Sequence, residues 1–122
     1  MGLVDELRGR KVSLDTGEIE AITSTITLLE VLIYPFRTGN EALAEKYRDI
    51  LLYCEGLTTF EILHEVSEMS SRLRAKYSIK TPDAIQIGVG ILYGADKFLT
   101  NDPDLRKVSE IQVLILDDFL GE

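Results

Sequence analysis

The sequence contains one cysteine, and it has no long run of apolar residues. Because Cys54 has no partner for an internal disulfide, and because the opening residues lack a charged-then-apolar secretion signal, we expect a protein of the reducing cytoplasm. The longest apolar stretch, residues 28–36, is interrupted by Glu30 and Pro35 and is far shorter than the roughly 20 residues that a membrane helix needs. We therefore expect no membrane partner.

Positive charge is also scarce, with 13 Lys and Arg against 21 Asp and Glu, which gives a formal net charge of −8. Such a protein repels nucleic acids and anionic lipids on average. Enzymes that hold divalent metal ions with carboxylates are an exception, because the bound ion reverses the local field. The composition, 45% hydrophobic and 28% charged residues, is that of one packed domain spanning residues 1–122.

Short β-prone runs alternate with longer helical ones along the chain, and this alternation predicts an α/β domain with a mostly parallel sheet. The strands are predicted at residues 20–23, 57–60, 97–100 and 112–116. The helices are predicted at residues 27–36, 41–54, 61–77 and 81–93. Neither a glycine-rich phosphate loop nor a nucleophile motif is found.

Three carboxylates need an explanation: Glu30 in ITLLEVLI, Asp83 in KTPDAIQI and Asp102 in FLTNDPDL. Each has a local structural interpretation. Glu30 fits a capping box that begins at Thr27, and Asp83 fits the first turn of a helix capped by Thr81. Asp102, followed by proline, fits an N-cap. A purely structural role is open for each acid taken singly.

Taken together, the three acids favour a metal site. In a parallel α/β sheet the helix N-termini lie on one rim, beyond the carboxyl ends of the strands, and all three acids belong to that rim. Converging carboxylates repel each other unless a cation or protons neutralise them. Carboxylate ligands with open positions suit Mg²⁺ or Mn²⁺, which retain water and bridge to phosphate oxygens.

The segments TSTITLLEVL, KTPDAIQI and ADKFLTNDPDL, in this order and spacing, resemble the PIN domain, in particular the VapC-type toxins of toxin–antitoxin pairs. The resemblance spans roughly residue 17 to the C-terminus. It implies a three-layer α/β/α fold and a Mg²⁺- or Mn²⁺-dependent endoribonuclease. It also implies that Glu30, Asp83 and Asp102 are the catalytic and metal-binding residues, with Asp104 a weaker candidate. The expected partners are an RNA substrate, an antitoxin and a second copy of the chain.

The first strand of a PIN domain carries an aspartate, and that strand is missing or replaced here. Val12 to Asp15 has the appropriate pattern, but too few residues separate Asp15 from the strand at residue 20 for a parallel crossover. Either the true start lies upstream, or the chain is a shortened member whose strand is replaced locally or supplied by a partner. An inactive PIN-like scaffold that binds an antitoxin or itself is therefore the alternative to an active nuclease.

Two further features have open interpretations. Arg72, Arg74, Lys76 and Lys80 precede Asp83, and they either bind RNA phosphates or interact favourably with the negative end of a helix dipole. The absence of a central strand predicts a dimer or larger assembly. The surface of the second helix around residues 47 and 51 is a candidate for part of that interface.

Overall fold

The computed structural model describes residues 20–120, the side chains of residues 119 and 120 excepted. Its elements, in order, are β1 (Ala21–Ser24), α1 (Thr25–Arg37), α2 (Glu41–Tyr53), β2 (Leu57–Phe60), α3 (His64–Lys76), α4 (Thr81–Leu92), β3 (Lys97–Thr100), a 3-10 helix (Pro103–Lys107), β4 (Gln112–Ile115) and α5 (Leu116–Leu120). The chain divides into two compact units between Glu61 and Ile62. Each unit is described separately.

The first unit contains a parallel strand pair joined by two helices. β1 pairs with β2 in a register that runs from Ala21 opposite Leu57 to Ser24 opposite Phe60. Ala21, Leu51 and Leu57 form a small buried cluster between the strands and α2. The strand predicted at residues 57–60 is confirmed, and the one predicted at 20–23 lies one residue later.

Helix α1 begins earlier than predicted, and its cap is Ser24. The Ser24 hydroxyl accepts a hydrogen bond from the Ile26 amide at 3.2 Å, which satisfies one of the free donors of the first turn. Thr27 lies inside the helix, and its hydroxyl is 2.7 Å from that of Thr23. The predicted capping box of Thr27 and Glu30 is therefore wrong, because neither residue is at the helix start.

The end of α1 lies one residue beyond the predicted end at residue 36. The helix continues through Pro35 to Arg37, and Gly39 then adopts a φ of +70°. A proline near the end of a helix removes one backbone donor but leaves the following turn intact. Asn40 caps α2 as predicted, since its Oδ1 accepts a hydrogen bond from the Leu43 amide at 3.0 Å.

The second unit contains a second parallel pair and a helical hairpin. β3 pairs with β4, with Lys97 opposite Gln112 and Thr100 opposite Ile115. The buried cluster of this unit joins α3, α4 and the segment around the 3-10 helix; it comprises Leu73, Ile79, Ala84, Ile87, Leu105, Val108 and Ile111. The predicted α/β class with parallel strands is confirmed.

Helices α3 and α4 approach closely at a glycine. A Cβ added at Gly88 would lie 3.0 Å from the Ser70 hydroxyl oxygen. This hydroxyl shares its one proton between the carbonyls of Val66 (2.7 Å) and Ala84 (3.2 Å). Gly90 marks a second close approach of α4, since a Cβ there would lie 3.2 Å from Cδ1 of Ile111. Small residues thus allow α4 to lie close to its neighbours.

Within residues 20–120, each strand pairs with one other strand: β1 with β2, and β3 with β4. Val12 to Asp15, the segment that the sequence offered as a replacement for the first strand, lies outside the described residues. In the part of the chain that the structure covers, no helix has the length and apolar character needed to cross a bilayer.

Candidate metal centre

Asp83 lies in the first turn of α4 and is half-buried. Proline at the second position suits a helix start, and an acid in this turn interacts favourably with the positive end of the helix dipole. The predicted cap is wrong by one residue: the cap position belongs to Lys80, and no side chain caps the helix there. Thr81 is the first helical residue, and its hydroxyl accepts a hydrogen bond from Nη1 of Arg74 at 3.0 Å.

Asp102 follows β3 and is exposed to solvent. Its backbone amide donates to the Thr100 hydroxyl at 3.1 Å, and its Oδ1 accepts from the Asp104 amide at 3.0 Å. The predicted N-cap role of Asp102 is confirmed, with Pro103 at the next position of the 3-10 helix. One carboxylate oxygen of Asp102 thus fixes the turn.

The two aspartates interact electrostatically. Partial burial raises the pKa of the Asp83 carboxyl above its ordinary value, and the negative charge of Asp102 raises that pKa further. The positive charge of Lys80 acts in the opposite direction and lowers it. Asp83 and Asp102 are thus close enough for the charge of one to oppose ionisation of the other.

The residues that flank Asp102 have structural partners. The Asn101 side-chain oxygen accepts a hydrogen bond from the Asp117 amide at 3.1 Å, which joins the end of β3 to the first turn of α5. Asp104 forms an ion pair with Lys107 at 3.1 Å. Asp104, the weaker candidate for a metal ligand, thus forms an ion pair within the 3-10 helix.

Glu30, the third predicted ligand, is an exposed residue of α1 in the first unit. Among residues 20–118, whose side chains the structure describes, no three His, Cys, Asp or Glu side chains form a group that holds a metal ion. The donors of Asp83 and Asp102 nevertheless fit Mg²⁺ or Mn²⁺. Mg²⁺ is commonly bound through one or two carboxylates, water and substrate phosphate, and a cation relieves the repulsion between the pair.

The four basic residues that precede Asp83 differ in their surroundings. Arg72 pairs with Glu68 at 3.2 Å and Lys76 with Glu110 at 3.0 Å, both near the protein surface. Arg74 and Lys76 lie in the last turn of α3, where a cation interacts favourably with the helix dipole. Lys80 precedes α4 at the positive end of its dipole, so the dipole interpretation does not apply to it.

The PIN domain family matches residues 3–111, which is most of the chain and includes both units. The chain belongs to the PIN domain family. Proteins of this family generally depend on divalent metal ions. The family match begins earlier than the resemblance noted from the three motifs, which covers residues from about 17 onward.

A solved structure described as a toxin–antitoxin complex from Klebsiella pneumoniae has the same fold. It is 23% identical in sequence to this PIN domain, with a TM-score of 0.62, over 76% of this chain and 71% of that one. No curated protein matches the sequence significantly. The fold predicted from the sequence is thus shown by both the family match and the structural likeness.

Arg74 is the residue of this site that the sequence did not reveal. Its position among other basic residues suggested RNA phosphate binding or a dipole interaction, whereas its guanidinium contacts the chain on both sides of Lys80. These contacts bridge the loop between two helices. The sequence gives no signal for them, because the conformation of that loop decides which carbonyl faces the guanidinium.

Proposed function

We propose that this PIN domain, as one domain over residues 1–122, is a metal-dependent endoribonuclease that acts as the toxin of a toxin–antitoxin pair. The observation that carries the proposal is the electrostatic pairing of Asp83 with Asp102 at the start of α4 and the end of β3. Family membership supports a nuclease. A carboxyl whose pKa is raised by burial and by a neighbouring carboxylate, as that of Asp83 is, is typical of functional sites.

Glu30, Asp83 and Asp102 would hold Mg²⁺ or Mn²⁺. When bound, such an ion neutralises the scissile phosphate and lowers the pKa of a coordinated water toward neutrality. Thr100 and the turn that follows it fix the backbone of Asp102, and α4 holds Asp83 in a half-buried position. Asp83 is thereby held by a helix, and Asp102 by the turn that caps the 3-10 helix.

Cleavage of RNA by the pure protein tests the proposal. We expect cleavage with Mg²⁺ or Mn²⁺, none with EDTA, and loss of cleavage in Glu30→Gln, Asp83→Asn and Asp102→Asn. Asp104→Asn is the matched control, because it makes the same chemical change two residues from Asp102 at an exposed ion pair. Cleavage that is independent of metal, or equal loss in the control, would contradict the proposal.

An inactive PIN-like scaffold that binds an antitoxin or itself is the second candidate. It is favoured by the absence of a three-ligand group among the described side chains. The sequence pattern also assigns no residue with certainty to the aspartate of the first strand. Titration calorimetry with Mn²⁺ separates the two functions. Saturable binding that depends on Glu30 and Asp83 supports the nuclease, and its absence supports the scaffold.

An antitoxin is the protein partner that we propose. The similar solved structure is described as a toxin–antitoxin complex, and the net charge of −8 on this chain favours a basic partner. We expect expression of the wild-type chain to arrest the growth of a bacterial host, and expression of the Asp83→Asn variant to allow it. Equal growth under both conditions would argue against a toxin.

A homodimer is also proposed, although the surface suggested by the sequence needs revision. Leu51 is buried in the core of the first unit, at 4% exposure. The exposed apolar side chains of α1 are better suited, since Leu29 (58%), Ile33 (45%) and Phe36 (51%) follow the helical spacing of one face. Sedimentation equilibrium should give twice the 13.7 kDa chain mass. For Ile33→Glu, which places a charge on this apolar face, the same measurement should give the mass of a single chain.

A further inference from the structure

The start of α4 has Pro82 and Asp83 in its first turn but no side-chain cap. Lys80 occupies the cap position, and its side chain makes no capping hydrogen bond. An ammonium group has no acceptor to offer the free amides of the first turn. Hydrogen bonds from a neighbouring element can take the place of a cap in fixing the first turn of α4, which carries Asp83.

Arg74 of α3 contacts the chain on both sides of this position. Its Nε donates to the Ile79 carbonyl at 2.8 Å, and its Nη1 donates to the Thr81 hydroxyl at 3.0 Å. Ile79 is itself a member of the buried cluster of the second unit. The planar guanidinium thus bridges a residue anchored in the core and the first residue of α4, with Lys80 between them.

A second contact from α3 fixes the same turn on its other side. The Ser70 hydroxyl donates to the carbonyl of Ala84, the residue after Asp83, at 3.2 Å. Ser70 and Arg74 lie one turn apart on α3, so they lie on the same face of that helix. Together, Ser70 and Arg74 donate hydrogen bonds to residues on both sides of Asp83.

From these contacts we propose that Arg74 is a positioning residue for Asp83: it fixes the first turn of α4 so that the carboxylate is held where a divalent ion binds. The inference rests on the proposed function, since it assumes that Asp83 is a metal ligand. Outer residues that orient metal ligands are worth about 10- to 100-fold in metal affinity.

Mn²⁺ titration calorimetry on the full chain tests this role. We expect Arg74→Gln and Thr81→Val to weaken binding about tenfold, which is the lower end of the range for residues that orient ligands. The double variant should bind Mn²⁺ as tightly as Arg74→Gln alone, because both substitutions remove the same hydrogen bond between Arg74 and Thr81. Arg74→Lys should not restore affinity, since an ammonium does not reproduce the fork of the guanidinium.

Lys76→Gln is the matched control. Like Arg74→Gln, this variant removes a cation from the last turn of α3. The Lys76 ammonium, however, forms an ion pair with Glu110 and does not contact the start of α4. We expect wild-type Mn²⁺ affinity for this variant. Affinity lost equally in the control, or restored fully by Arg74→Lys, would show that charge or general stability acts and would overturn the proposal.

Hydrogen exchange in the metal-free protein separates failure of this inference from failure of the proposed function. The Ala84 amide donates to the Lys80 carbonyl at 2.9 Å, so its exchange reports on the first turn of α4. We expect exchange about tenfold faster in Arg74→Gln and Thr81→Val, and unchanged in Lys76→Gln, through local opening. Unchanged exchange in Arg74→Gln refutes the positioning role, whereas absent Mn²⁺ binding in the wild type refutes the metal site.

Discussion

The negative charge of Asp102 opposes ionisation of Asp83, and it acts together with the partial burial of Asp83 in the first turn of α4. Each aspartate has a local structural explanation, yet neither explanation requires the two charges to lie close together. Charges of the same sign that are kept close reduce stability. A cation bound by both acids would relieve this repulsion, and that is the role we propose for them.

Asp102→Asn should lower the pKa of Asp83, because it removes the charge that opposes ionisation. The N-cap should survive, since asparagine caps a helix about as well as aspartate does. An NMR titration of the Asp83 carboxyl in the metal-free protein measures the shift. Asp104→Asn serves as the control, and an Asp83 pKa that moves as much in the control would contradict a specific pairing.

Asp83→Asn should leave the metal-free protein as stable as the wild type or more stable at pH 7. A carboxyl whose folded pKa is raised binds its proton more tightly in the native state, so its ionisation reduces stability as the pH rises through that pKa. Any advantage of the variant should therefore shrink as the pH falls below the raised pKa. Urea unfolding at several pH values measures it, and a variant less stable at pH 7 would contradict the expectation.

The Tyr77–Glu110 contact predicts a pH dependence of the opposite sign. Hydrogen bonds from Tyr77, at 2.7 Å, and from Lys76 lower the pKa of Glu110 below its ordinary value of 4.5. The stabilisation is present above pH 4.5 and is lost as the pH falls through the lowered pKa. Urea unfolding of wild type and Glu110→Gln should differ at pH 7 and converge in acid. A difference that persists at pH 2 would contradict this.

Gly88→Ala should destabilise the hairpin of α3 and α4 by about 1 kcal/mol, at the low end for overpacking in a core. The new Cβ would lie 3.0 Å from the Ser70 hydroxyl, which two hydrogen bonds hold in place. In a Ser70→Ala background the same change should become neutral or stabilising, because alanine favours a helix over glycine by about 1 kcal/mol. Thermal unfolding of the wild type, the two single variants and the double variant measures the coupling between the two positions. Additive effects would exclude the steric explanation.

Ser24→Ala should cost about 1 kcal/mol of unfolding free energy, which is typical of a lost N-cap. Glu30→Gln should change stability by less than about 0.5 kcal/mol, as expected for an exposed residue outside a cap. The pair tests where α1 starts and separates that question from the proposed role of Glu30 in binding metal. Glutamine can also complete a capping box, so Glu30→Ala decides that question: a stability loss as large as that in Ser24→Ala would restore the capping box.

The sequence predicted the elements better than their ends. Strand positions at residues 57–60 and 97–100 are right, because short β-prone runs next to glycine or acidic turns leave little choice of boundary. Thr27 and Thr81 were both given cap positions that belong to earlier residues, Ser24 and Lys80. A threonine hydroxyl suits a cap, but here one pairs with Thr23 and the other with Arg74.

The candidate site was accessible to sequence reasoning in part. Asp83 and Asp102 were singled out because acids at helix starts and strand ends of a parallel sheet share a rim. The charge of Asp102 does raise the pKa of Asp83, while metal binding by the two acids stays a prediction. The role of Arg74 was hidden, since it depends on the fold of a four-residue loop. Asp15 lies outside the described residues, and its contribution stays a prediction.

The two parallel strand pairs differ in the length of chain that each must close, and this difference orders their folding. The register joins Ala21 to Leu57 in one unit and Lys97 to Gln112 in the other, so the first loop is more than twice as long as the second. Each doubling of loop length adds roughly 0.6 kcal/mol of closure entropy. The pair of β3 and β4 therefore has the smaller entropic cost of loop closure. On this ground β3 and β4 should associate before β1 and β2 during refolding.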